Sequence, residues 1–146
     1  MDKDISEMLA AYREGSIDLV KLKMWIEAES PRITVQSSRG QLLELRHGND
    51  YARMAAIVQL LPPCEKCAMI GSPLQFASRQ EYEDHSKRRD ALVASGMLRT
   101  ITPPSWTRDG PHTAEAVMYY TCSVCGSIWV FGEPERAANG FWERLA

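Results

Sequence analysis

Nowhere in these 146 residues does an apolar run approach the roughly 20 residues that a membrane-spanning helix needs, so no membrane association is expected. The start, Met1-Asp2-Lys3-Asp4, is charged and lacks the apolar stretch of a secretory signal, which leads to the expectation of a cytoplasmic protein. There is no excess of positive charge either. Lys and Arg number 17 against 19 Asp and Glu, for a net charge of −2 and a pI near 5.9. The field of the whole chain therefore gives no reason to expect nucleic acid or acidic lipid as a partner. Internal repeats and low-complexity tracts are lacking, as are a glycine-rich phosphate loop, a Ser-His-Asp arrangement and a carboxylate pair suited to acid–base work. Histidine is scarce, and His47, His85 and His112 form no pairing that suggests catalysis. His85 stands inside a charged helical stretch and is expected to be exposed. With no catalytic residues to name, the reading is of a protein that is not an enzyme.

What is present is the ordinary mix of a folded chain, 45% hydrophobic and 25% charged, and its length suits one compact domain over residues 1–146. Ile5 to Tyr12 reads as a short helix interrupted at Gly15. Ser16 reads as the N-cap of a second helix running to about Glu29, closed by Ser30-Pro31. Its inward stripe is expected to be Ile17, Val20 and Met24, with Leu19, Leu22 and Ile26 beside it. Ile33 to Gln36 and Gln41 to Leu45 flank Ser37-Ser38-Arg39-Gly40 and suggest a hairpin. Asn49 or Asp50 caps a third helix through Leu61, with Met54, Ile57, Val58 and Leu61 inward, and Pro62-Pro63 ends it. Ser78-Arg79-Gln80-Glu81 has the pattern of a capping box and opens a helix to about Ser95, with Gly96 at its C-terminal cap. The charges of that helix read as a solvated face. A proline-rich loop over 102–113 precedes a strand from Ala116 to Thr121, and Ser127 to Phe131 makes a second strand.

Cysteine is limited to four residues, arranged as two C-x-x-C pairs: Cys64 with Cys67, and Cys122 with Cys125. In a reducing compartment such pairs point to metal ligands or redox groups rather than structural disulfides. Two intervening residues let a tight turn aim both sulfurs at a point about 2.3 Å away, and two such turns complete a tetrahedron. The second pair lies between two strand-like runs with Gly126 directly after it, where a positive φ lets the chain fold back beneath a metal. This arrangement resembles the zinc knuckle of the zinc-ribbon superfamily, over Cys64 to Cys67 and about Met118 to Trp129. The resemblance implies one zinc ion held by Cys64, Cys67, Cys122 and Cys125. Two departures stand out. Ala68 takes the place of the glycine expected after the first pair, and 54 residues (68 to 121) separate the pairs, where compact ribbons use about 15–20. The capped helix is then an insertion between the knuckles. The fold class expected is α+β, with helices packed on a small antiparallel sheet and a four-cysteine site at one end.

Competing chemistries fit less well. Pro63-Cys64-Glu65-Lys66-Cys67 matches the P-C-x-x-C of zinc deaminases, yet upstream His47-Gly48-Asn49 carries an amide where that chemistry needs a proton-shuttling glutamate. A thioredoxin-like site wants its pair after a strand and at the start of a helix, whereas Cys64 follows a helix and two prolines. Arg32, Arg39, Arg46, His47 and Arg53 make one stretch locally basic without interleaved aromatics, so a nucleic-acid-associated zinc-ribbon regulator stands as the alternative.

The C-terminal strands are apolar on both faces, so each is either sandwiched in the core or offers one face to a partner. Phe141 and Trp142 then either fold back over the hairpin or anchor a protein partner. The pattern Cys122-x-x-Cys125-Gly126-x-x-Trp129 followed by Glu133-Pro134 loosely resembles small bacterial proteins of toxin–immunity systems. That resemblance implies a protein that binds a cognate toxin and blocks it without doing chemistry. The candidate contact residues are Glu81, Glu83 and Asp84 on the capped helix, which would steer a basic partner, together with Phe141 and Trp142.

Overall fold

A computed structural model of the chain describes residues 2–69, 75–112, 116–135 and 138–146. Among these it is α+β, with six α-helices and one four-stranded antiparallel sheet. The contacts gather into two compact units, Met1–Pro62 with Ala146, and Pro63–Leu145. No helix among the described residues is long and apolar enough to cross a membrane.

The first unit is helical: α1 (Lys3–Glu14), α2 (Leu19–Gln36), α3 (Arg39–His47) and α4 (Asp50–Leu60). Three of these helices, α2, α3 and α4, are capped at their starts by a local side chain. The Asp18 carboxylate accepts from the Lys21 N–H and caps α2, so the N-cap is Asp18 and not Ser16. Asn49 caps α4 in the same way through the Ala52 N–H. Helix α1 ends in paired backbone hydrogen bonds, from Ser16 N–H to Ala11 O and from Gly15 N–H to Tyr12 O.

Two sequence expectations are corrected here. Helix α2 does not stop at Ser30-Pro31 but carries Pro31 within it. Leu22, Ile26 and Ile33 recur on one helical stripe, and all three are buried, so continuing the helix keeps Ile33 in the core despite the missing proline N–H. Val20 and Met24, expected inward, are exposed. The hairpin expected over 33–45 is instead the end of α2 and the whole of α3. Ser38 and Gln41 form a reciprocal capping box, with Gln41 N–H donating to Ser38 Oγ and Ser38 N–H donating to Gln41 Oε1. Of the residues expected inward on α4, Met54, Ile57 and Leu61 are buried and Val58 is half-buried.

The second unit is built on a meander, β1 (Leu98–Ile101), β2 (Val117–Cys122), β3 (Ile128–Gly132) and β4 (Phe141–Arg144), in the order β1-β2-β3-β4 with every neighbour antiparallel. The short α5 (Glu65–Ala68) and the longer α6 (Arg79–Ala94) precede it. Helix α6 opens where expected, with Ser78 accepting from the Glu81 N–H, while the Glu81 carboxylate takes the Ala77 N–H instead of closing the box on the cap residue. The loop after β1 contains a 3-10 turn, Ser105–Asp109; Thr113, the end of the expected loop, lies outside the described residues.

Strand β3 is buried along its whole length, which answers the apolar-on-both-faces pattern with a sandwiched strand. Beneath the sheet lies an aromatic core of Phe76, Tyr120, Trp129, Phe131 and Trp142 with Leu98, and it runs without a break into Cys67 and Cys122. Trp129 and Trp142 stack with ring centroids 5.1 Å apart. Gly132 pairs with Phe141 across β3 and β4, and a side chain at Gly132 would occupy the space of the Phe141 ring.

Candidate metal centre

The first cysteine pair rides on α5: Cys64 is its N-cap residue, and Ala68 N–H donates to Cys64 O at 3.0 Å. Cys64 thus does open a helical turn, contrary to the expectation from the prolines before it. The second pair occupies the β2–β3 turn. Gly126, at φ 75°, sends its N–H back to Cys122 O, and Cys122 N–H donates to Ser127 O. That turn is pinned to the end of α6 by two further bonds, Ser123 N–H to Met97 O and Ser123 Oγ to Gly96 O.

These two frames bring all four sulfurs together, each within 4.8 Å of the others. Cys64 Sγ lies 3.7 Å from both Cys67 Sγ and Cys122 Sγ, and Cys67 Sγ lies 3.7 Å from Cys125 Sγ. A tetrahedron with metal–sulfur bonds of about 2.3 Å has edges of about 3.8 Å, so the arrangement fits a four-coordinate metal. No disulfide joins the four cysteines. Four sulfurs in this geometry suit zinc or iron, and a closed four-sulfur set leaves no coordination position for a substrate.

The sulfurs perturb one another strongly. The adjacent Cys125 sulfur, together with burial, pushes the Cys67 thiol up. Cys125 is pulled down to about 3, by the Cys67 thiol and then by the Ser127 hydroxyl and the backbone N–H groups of Cys64 and Ser127. Burial pushes Cys122 up against the opposing pull of the Cys125 and Val124 backbone N–H groups. Two thiolates 3.7 Å apart repel by roughly 4–5 kcal/mol at an effective dielectric near 20. Four can coexist only around a cation. Ser127, fully buried, places its Oγ 3.1 Å from Cys125 Sγ, and Arg144 Nη1 stands 3.5 Å from that same hydroxyl. Sequence reasoning passed over Ser127, although its place two residues after Cys125 is the signal that could have found it.

The other candidate residues do not gather in one place. Glu83 and Asp84 are exposed on α6, with Asp84 accepting from Gln80 Nε2 at 2.9 Å, and Glu81 is half-buried through its bond to the Ala77 N–H. Phe141 is half-buried and stacks on His112, whose Nε2 lies 3.1 Å from Glu143 Oε2. Trp142 is wholly buried, so of its two possible destinations it takes the one inside the core.

His85 corrects its own expectation. It is fully buried with rings on several sides, Phe76 and Trp142 each at 4.9 Å, and neither ring nitrogen has a hydrogen-bond partner among the described residues. Burial holds it down to about 4, helped by the positive charges of Arg89 and Arg88. Arg89 is buried too, its guanidinium 3.7 Å from the Phe131 ring centre. The charge-rich sequence of α6 hides this inward face, because alternating signs read as a solvated helix whichever way it is turned.

Compared with protein-family models, with curated proteins and with solved structures, the chain matches none.

Proposed function

We propose that Cys64, Cys67, Cys122 and Cys125 hold one structural zinc ion and that the chain works as a non-enzymatic protein-binding protein, in its specific form an immunity protein that neutralises a cognate toxin. The observation that carries this reading is the four-sulfur cluster itself. Its ligand set is closed, and it merges with the aromatic core, so its chemistry is suited to holding a surface in shape. The C-terminal pattern around Cys122, Cys125, Gly126 and Trp129 supplies the resemblance to immunity proteins, and exposed Glu83 and Asp84 offer carboxylates to a basic partner.

The test is co-expression with the product of the neighbouring gene. A toxin–immunity pair predicts restored growth and a stable complex on gel filtration, with the free protein passing a heparin column at moderate salt. Retention on heparin without any protein complex would favour the nucleic-acid regulator and end the proposal.

A further inference from the structure

Beside the metal centre, the α5 turn and the second half of α6 enclose a groove of about 460 Å³, lined by Lys66, Met69, Arg88, Ala91, Leu92 and Met97. Its surface is almost wholly apolar. Leu92 and Met97 are the outer edge of the aromatic core, half-buried and packed against it, while Met69 stands 81% exposed on the opposite wall. An open apolar groove with two methionines is suited to side chains of varied shape, because the unbranched thioether repacks at little cost. Two cations flank it, and among the described residues no acidic one lines it. Arg32 and Arg53 are engaged by carboxylates and Arg89 by Phe131, which keeps those three away from any outside anion. Among the described residues no carboxylate lies within ion-pair distance of Lys66 or Arg88, so both charges on the groove are open to an acidic ligand.

We propose that this groove docks an acidic, apolar segment of a protein partner, with Lys66 and Arg88 taking its carboxylates and Met69, Leu92 and Met97 its apolar side chains. This rests on the protein-binding reading above and adds to the Glu83 and Asp84 carboxylates a second contact, one that takes an acidic segment of the same partner. Helical periodicity adds an orientation. Asp84, Arg88, Ala91 and Leu92 fall at i, i+4, i+7 and i+8 on one stripe of α6, so a segment lying along it meets negative charge at one end and positive charge in the groove. The wall of the groove also depends on the metal. Helix α5 is only four residues long, and Cys64 and Cys67 join it to the β2–β3 turn through the sulfur cluster. Removing the metal should therefore abolish docking.

The experiment uses the full-length, metal-loaded protein with ¹³C-methyl methionine labels and peptides selected on it from a random phage-displayed library. The expected result is a selection rich in Asp or Glu next to Leu, Ile, Phe or Trp. Such peptides should shift the methyl signals of Met69 and Met97, bind at least tenfold more weakly to the Lys66→Glu/Arg88→Glu double variant, and be lost on chelation. Ala91→Asp, on the exposed helix surface, gives a second variant that places a repelling charge on the groove without touching the core. Both variants should melt like the wild type. Peptides without acidic character, peptides that bind both variants as well as wild type, or no selected peptide at all would overturn the proposal. So would binding of the same methionines to anionic phospholipid vesicles in place of peptide. If the neighbouring gene product binds Lys66→Glu/Arg88→Glu unchanged, the groove is the wrong surface while the protein-binding reading stands. If acidic peptides dock but no protein partner complexes, the groove stands and that reading falls.

Discussion

The two units of this chain reach order by different means. In Met1–Pro62 the helices are closed by their own caps, and the buried residues are aliphatic ones repeating along helical stripes, such as Leu22, Ile26 and Ile33. In Pro63–Leu145 the strands have four to six residues each, and α5 has four. Elements that short do not persist on local hydrogen bonds alone. What joins them is contact between residues distant in sequence: two cysteine pairs 54 residues apart, a Trp129–Trp142 stack, and a buried histidine and arginine on α6 packed against β3 and β4. The comparison suggests that a helical unit with local stops tolerates change piecemeal, whereas the unit built on the sulfur cluster is ordered as a whole or not at all.

Removing the metal should break the comparison most sharply. Structural zinc contributes on the order of 10 kcal/mol or more to folding in small metal-dependent domains. Cys125→Ser, or chelation of the wild type, should abolish the near-ultraviolet dichroism of the stacked tryptophans while much of the helical signal from the first unit persists. A Cys125→Ser protein that melts like the wild type would show the site is not structural. Metal analysis of the purified protein should return about one zinc per chain, and X-ray absorption four sulfur neighbours near 2.3 Å.

Next in size is the aromatic core. Trp142 is fully buried against Trp129, Tyr120 and His85. Trp142→Ala should cost about 3–5 kcal/mol, read as a fall in denaturation midpoint, and a chain truncated after Gly140 should fall at least as far. An unchanged midpoint in either variant would mean that β4 does not belong to the folding core.

A smaller and pH-dependent effect is expected at His85. The folded protein holds this ring neutral down to about pH 4, while in the unfolded chain it titrates near 6.5. The unfolded state therefore binds the extra proton first, and stability is complete above about pH 6.5 and falls as the pH drops towards 4. The loss attributable to this one ring is at most about 3–4 kcal/mol, at 1.36 kcal/mol per unit. His85→Phe should flatten that part of the profile relative to wild type in stability curves measured side by side. Equal slopes between pH 6.5 and 4 would place the acid sensitivity elsewhere, for instance in the thiolates.

Much of this was legible in the sequence, for physical reasons that also explain the misses. The cysteine pairs, Gly126 and the cap at Ser78 are signals carried within four residues, and each appears where the spacing placed it. Strands β1 and β4 were not foreseen, because four-residue strands gain their order from neighbours across the sheet and leave almost no periodicity of their own. The burial of His85 and Arg89 escaped for a related reason: whether a charged helical face is wet depends on the rings of Phe76, Phe131 and Trp142, which come from elsewhere in the chain. Residues 33–45 show the opposite failure. Their β-branched run and central Gly40 favoured a hairpin, and the reciprocal Ser38–Gln41 cap, itself a local signal, was passed over.

That cap supplies the smallest of the expected effects and the sharpest contrast with the metal. Ser38→Ala removes the acceptor for the Gln41 N–H at the start of α3, an exposed site where water can replace part of the lost bond. A cost of about 1 kcal/mol is expected, within the usual range for such caps. The position of the loss matters more than its size. Amide hydrogen exchange should quicken over α3 and the α3–α4 contacts, while the amides of β2 and β3 keep their protection, since the change touches neither the sulfur cluster nor the aromatic core. Ser38→Asn, which can still accept that bond, should restore most of the protection. If exchange in β2 and β3 instead accelerates in step with α3, the two units unfold as one cooperative body, and the contrast between local caps and a metal-centred core describes how they are built but not how they come apart.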